Sequence, residues 1–137
     1  EKDHIDAVVI STGIDFTKAY LITEELRASG FDLRLVSMPS MDIFLHESIE
    51  YRESVIPKGV KVFTIEAGST LIWNTFASPN CAIGIDEFGY SGSKDDVEKK
   101  LNFDYESIIA RMRNELIPNS DNSEIETFKK YWQKCIF

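Results

Sequence analysis

Ala7-Val8-Val9-Ile10-Ser11-Thr12-Gly13, followed by Phe16, Ala19, Ile22 and Leu26 at helical spacing, then Gly30 and Leu33-Arg34-Leu35-Val36, reads as strand, helix, strand. The first run is apolar without alternation, which implies a strand buried on both faces. Asp15 falls in the first turn of the helix, where the helix dipole favours an anion, and Gly30 supplies a C-terminal stop. Two further runs, Val62-Phe63-Thr64-Ile65 and Cys81-Ala82-Ile83-Gly84-Ile85, have the same β character. Strands alternating with helical segments predict an α/β fold, a three-layer α/β/α sandwich on a mostly parallel sheet of four to five strands.

Further along, Asp104 is placed to cap a helix whose residues Tyr105, Ile108, Ile109, Met112 and Leu116 share one face, and Pro118 blocks its continuation. A polar linker and a second capping signal, Ser123-x-x-Glu126, then open a stretch striped by Ile125, Phe128, Trp132 and Cys135. The chain divides on this reading into an α/β domain over residues 1–117 and a linker with an additional C-terminal helix over 118–137.

The 137 residues suffice for one domain, and a 43% apolar, 12% aromatic composition excludes a disordered tail. A net charge of −8 repels phosphate backbones and anionic lipid, so neither nucleic acid nor a membrane surface is expected as a partner. Two cysteines, Cys81 and Cys135, form no disulfide framework and no metal-ligand spacing, which reads as a reduced, intracellular protein. No apolar stretch spans a bilayer, and the acidic start Glu1-Lys2-Asp3 is not a signal peptide. Because the first residue is not Met, a targeting segment on a longer parent lies beyond this reading.

Three blocks carry a family resemblance: Val36-Ser37-Met38-Pro39-Ser40, Tyr51-Arg52-Glu53-Ser54-Val55-Ile56-Pro57 and Glu66-Ala67-Gly68. In order and spacing they resemble the carboxy-terminal domain of transketolase, from about Asp6 to Leu116. Ser11-Thr12-Gly13 opens the likeness and Gly84-Ile85-Asp86-Glu87-Phe88-Gly89-Tyr90-Ser91 closes it. Asp15 stands where the family usually has Glu, and Ser91-Gly92-Ser93 lacks the proline of the family's Ser-Ala-Pro turn. The resemblance implies strands ordered second, first, third, fourth, preceded in the family by a short antiparallel strand that this chain lacks, so that the second strand is an open edge. It also implies a parent enzyme, a cytoplasmic homodimer that transfers a two-carbon ketol unit between sugar phosphates in the pentose phosphate pathway. That parent uses thiamine diphosphate and Mg2+ (or Ca2+), held by its two earlier domains. On this basis the chain itself is expected to have a structural and dimer-packing role. Its partners are the preceding domains and a second subunit, and it meets sugar phosphates only through the parent.

Among the residues themselves, no catalytic, cofactor-binding or metal-binding set is readable. Neither a Walker loop nor the Gly-Asp-Gly diphosphate motif of thiamine enzymes is present. His4 and His46 lack partners at ligand spacing, and Cys81 reads as a small core residue. The pairs Glu24-Glu25, Asp86-Glu87 and Asp95-Asp96 read as solvated faces. Ligands of open α/β sheets bind where the strand order switches, and the loops there carry Thr12, Gly13, Gly68 and Ser69. Glycine amides, a helix N-terminus and a hydroxyl can hold an anion, which defines an alternative function as a regulatory module for an anionic metabolite; the same glycines can also simply make tight turns. Arg52, flanked by Glu, is a candidate brace to a neighbouring loop, domain or subunit. Phe88 and Tyr90 are candidates for a surface contact, with core packing of Phe88 left open.

Overall fold

A computed structural model describes residues 4–117. Its sheet has four parallel strands in the order β2-β1-β3-β4, as the resemblance implied. They are β1 (Ala7–Ser11), β2 (Leu33–Ser37), β3 (Lys61–Ile65) and β4 (Ala82–Ile83). All five residues of β1 are fully buried, which fits its place between two neighbours. The strand expected over 81–85 is cut to two residues. Gly84 turns the chain there, and the Ile85 N–H leaves the ladder to donate to the Gly68 carbonyl.

The helices are α1 (Phe16–Ala28), α2 (Met41–His46), α3 (Ile49–Val55), α4 (Lys94–Lys100) and α5 (Tyr105–Leu116). Alternation along the paired strands puts Val8, Arg34, Val62 and Thr64 on one face, and Val9, Phe63 and Ile83 on the other. Arg34 donates to the Ser54 and Val55 carbonyls at the end of α3, so α3 covers the first face. Lys61 donates to the Glu115 carbonyl, and Cys81 Sγ lies 4.0 Å from Glu115 Oε2; α5, beside α1, covers the second.

Local chemistry explains each helix. α1 stops at Gly30, whose φ of +101 suits glycine. Ser40, Ser48, Ser93 and Asp104 cap α2, α3, α4 and α5, each side chain accepting from the backbone N–H three residues on. In the Met38-Pro39-Ser40 block the Met38 N–H extends the sheet by donating to the Ser11 carbonyl, proline ends the strand and Ser40 starts α2. Phe44, Tyr51, Phe76 and Trp73 form a chain of tilted ring pairs, with centroids 5.8 to 6.4 Å apart, that packs α2 and α3 against the 3-10 turn Leu71–Thr75. Each fully buried large side chain, such as Phe63 or Ile22, contributes roughly 1.5–3 kcal/mol. The additional C-terminal helix expected over 118–137, and with it the division of the chain at that point, lies outside the described residues.

Candidate functional site at the carboxyl ends of the strands

Strand order switches between β1 and β3, and the loops leaving their carboxyl ends lie side by side. Gly13 (φ +60) opens a 3-10 turn, Gly13–Asp15, that delays α1 by three residues. Asp15 is therefore the N-cap position rather than part of the first turn of α1, and it makes no capping bond. Its carboxylate crosses the switch point instead and accepts the Ala67 N–H at 2.8 Å. The Gly68 N–H donates to the Glu66 carbonyl at 2.8 Å. Thr70 donates both its N–H and its hydroxyl to Asp86, each at 2.8 Å. These bonds, the backbone N–H of Thr70 first, hold the Asp86 carboxyl below its ordinary value by stabilising the ionised form.

Two of the four residues expected to hold an anion, Gly68 and Ser69, thus sit in a loop where the amides of Ala67, Gly68 and Thr70 already have acceptors. Gly68 is committed, Ser69 Oγ accepts from the Leu71 N–H, and the amides on either side of this pair, those of Ala67 and Thr70, go to Asp15 and Asp86. Thr12 and Gly13 lie at the mouth of β1, and Gly13 is exposed. Asp86 is exposed, as a solvated face would be, but its carboxylate is tied to Thr70. It and Asp15 organise this end of the sheet, a role that the sequence did not reveal although both residues stood out in it, because a loop-bracing carboxylate is defined by a donor distant in sequence.

The same loops display apolar side chains to solvent. Ile14, Leu71, Ile72 and Phe88 are 89%, 74%, 57% and 96% exposed. Phe88 is a surface residue, which decides between its two sequence readings. Tyr90 is partly exposed and lies under Lys100, whose Nζ is 4.0 Å from the ring centroid. Arg52, on α3, is half-buried; its Nε is shut off from solvent and has no hydrogen-bond acceptor. The structure does not bring Arg52 to Phe88: α3 belongs to the layer over one sheet face, while Phe88 follows β4 at the strand ends. His46 is exposed on α2 with Nδ1 2.7 Å from the Asp42 carbonyl. Cys81 is 2% exposed. Among the described residues no group of three or more His, Cys, Asp or Glu is arranged to hold a metal ion, and no helix is long and apolar enough to cross a membrane.

These features define a class: an open, doubly wound parallel α/β domain whose switch-point loops are closed by its own carboxylates and whose rim is apolar. The family model of the transketolase-like TK C-terminal domain matches residues 1–104, so the chain belongs to that family. Chloroplastic transketolase of Zea mays is 41% identical over 107 residues, covering 77% of this chain and 16% of its own length. Transketolase of Buchnera aphidicola is 34% identical over 114 residues, covering 82% and 17%. The chain therefore spans only a minor part of the relatives it matches. Among solved structures, a Pichia stipitis transketolase in complex with sedoheptulose 7-phosphate superposes with a TM-score of 0.74 at 28% identity, covering 85% of this chain and 17% of that one. A transketolase from Leishmania mexicana shares the fold with a TM-score of 0.77 at 24% identity, covering 91% and 19%.

Proposed function

We propose that this chain is the C-terminal domain of a transketolase and serves that enzyme as a packing module without a catalytic residue. The parent is a thiamine diphosphate-dependent transferase of the pentose phosphate pathway, moving a two-carbon ketol unit between sugar phosphates. It works as a cytoplasmic homodimer, and its earlier domains hold thiamine diphosphate and Mg2+ (or Ca2+). The residues of the β3 loop do not fit that cofactor: the amides of Ala67, Thr70 and Gly68 are committed to Asp15, Asp86 and the Glu66 carbonyl, and two carboxylates stand beside them.

The observation that carries the packing role is the stitched apolar rim. Hydrogen bonds from Ala67 to Asp15, from Thr70 to Asp86 and from Ile85 to Gly68 fasten the three loops after β1, β3 and β4 to one another. On that braced platform stand Ile14, Leu71, Ile72 and Phe88, all exposed. Rigid backbone under bare apolar side chains favours a protein contact, since the groups that meet a partner are already ordered before they are covered. The partners are the preceding domains and the second subunit, and Arg52 supplies a further contact through α3. The alternative reading, an anionic metabolite held by Thr12, Gly13, Gly68 and Ser69, has less support, because the Gly68 amide already donates to the Glu66 carbonyl and the Asp15 and Asp86 carboxylates, bound to the neighbouring Ala67 and Thr70, would repel an anion.

Calorimetric titration of the chain with thiamine diphosphate in Mg2+ tests this assignment. No saturable heat and no ketol transfer are expected. Micromolar binding would overturn the reading of a domain without the cofactor site.

A further inference from the structure

At the opposite end of the sheet from the switch point, a groove of about 540 Å³ opens where the strands begin. Its lining includes His4 and Asp6 just before β1, Arg34 in β2, Lys61 at the start of β3, and the turn that carries Lys58 and Gly59. Three cations against one carboxylate make a positive concavity on a chain whose net charge is −8. Pairing with the domain's own acids accounts for only one of the three. Lys61 Nζ lies 3.8 Å from Glu115 Oε2, whereas among the described residues Arg34 and Lys58 enter no ion pair. Arg34 uses Nη1 on the Ser54 and Val55 carbonyls, at 2.8 and 2.9 Å, which fixes the guanidinium beside the groove and leaves its charge uncompensated. Asp6 is turned to the backbone, its Oδ2 accepting the Asp32 N–H at 2.7 Å. The Val60 N–H closes the turn by donating to the Pro57 carbonyl, and Gly59, with φ +79, is exposed with nothing within 4 Å of where a Cβ would lie, so main chain faces the groove uncovered.

We propose that this groove binds a phosphate group, free or carried by a small metabolite, at a site separate from the switch-point loops. A phosphate dianion is matched by two uncompensated cations of different character. Arg34 is pre-placed by its carbonyl bonds and offers a planar fork, while Lys58 is a point charge on a flexible stem that can close over the ligand. The volume falls within the roughly 300–1,000 Å³ of small-molecule sites, so a carbon skeleton fits beside the phosphate. An extended polyanion does not fit, because it would leave the groove and meet the acidic remainder of the surface.

The test is a titration of the isotope-labelled full chain with inorganic phosphate, chloride being exchanged for it at constant ionic strength, followed by the amide resonances of Gly59 and Val60 and, at the switch point, of Gly13 and Gly68. Saturable shifts are expected at Gly59 and Val60, with Gly13 and Gly68 unmoved. Lys58→Gln, an exposed position without an ion pair, should leave the melting temperature unchanged and weaken binding roughly five-fold, the effect of one charge contact through water. Arg34→Lys keeps the charge but not the fork and should weaken it as well; if loss of the carbonyl bonds unfolds that variant, Lys58→Gln still decides. Glycerol 3-phosphate separates the two sources: tighter binding than inorganic phosphate assigns the groove to a phosphorylated metabolite, equal or weaker binding to the free ion. Shifts at Gly59 and Val60 that fail to saturate, shifts centred on Gly13 and Gly68, or an affinity unchanged in Lys58→Gln would each overturn the proposal.

Discussion

At the residue scale, Gly84 and Asp86 are where this rim is decided. A Cβ built on Gly84 would lie 2.4 Å from the Gly68 carbonyl oxygen, 2.8 Å from Thr70 Cγ2 and 3.1 Å from the Glu66 carbonyl oxygen. The first and last are backbone atoms that cannot swing aside, so glycine is required by close approach. Gly84→Ala should destabilise the domain by about 1–3 kcal/mol in chemical denaturation, the range of overpacking; an unchanged midpoint would mean that the loop after β4 sits elsewhere. For Asp86 the sign of the pH effect follows from its bonds. Donors from Thr70 favour the ionised form, so the folded pKa is lowered, and the associated stability is present above the ordinary carboxyl value and lost as pH falls through the folded one. The melting temperature should therefore drop on acidification below about pH 4, and Asp86→Asn should shrink that drop while leaving the neutral-pH profile flat. Identical acid profiles for the two proteins would assign the effect to other carboxylates.

At the element scale, the helices are held less by their own propensity than by caps and by cations that reach backbone carbonyls. Lys18 donates to the Phe103 carbonyl at 2.9 Å and pairs with Glu98 at 2.8 Å, tying α1 to α4. Arg111 of α5 reaches the carbonyls of Pro79, Asn80 and Ala82 around the start of β4. Such bonds engage basic residues inside the domain and leave the acidic excess outside. Asp104 caps α5 through the Ser107 N–H and accepts the Ser107 hydroxyl, whose bond is the main reason its carboxyl is held below the ordinary value. Asp104→Ala should cost about 1 kcal/mol at neutral pH. Its difference from the unaltered chain should narrow as pH falls below the ordinary carboxyl range, because the protonated aspartate is already a poorer acceptor. A pH-independent difference would make packing, not the cap, responsible.

At the scale of the whole molecule, two surfaces invite association and one property resists it. The apolar rim is bare, and β2 has a hydrogen-bonded neighbour on only one side among the described residues, β1. The net charge of −8 opposes approach of two copies. Sedimentation at several concentrations should show a monomer in weak exchange with a dimer, shifted toward dimer by added salt, which screens the repulsion. Phe88→Ser should weaken the dimer, whereas a tight, salt-insensitive dimer unaffected by that change would place a complete interface elsewhere.

The strands, α1 and α5 were legible because their signals are local: an apolar run without alternation, a 3.6-residue stripe, a glycine at the stop, an aspartate at the cap. The three family blocks likewise carried the family, since each is contiguous and sits where the chain turns between strand and helix. What the sequence did not display was α2, α3 and α4, short helices whose formation depends on serine caps and on aromatic packing against neighbours far along the chain. Nor did it display the use of Asp15 and Asp86. A carboxylate at a strand end looks the same whether it awaits a ligand, faces water or braces a loop, and only the tertiary structure, by bringing Ala67 to Asp15 and Thr70 to Asp86, chose the third. Sequence by itself therefore determined which segments are buried and in what order they run. The fate of the donors at the switch point was decided by contacts 16 to 52 residues apart, which no local pattern encodes.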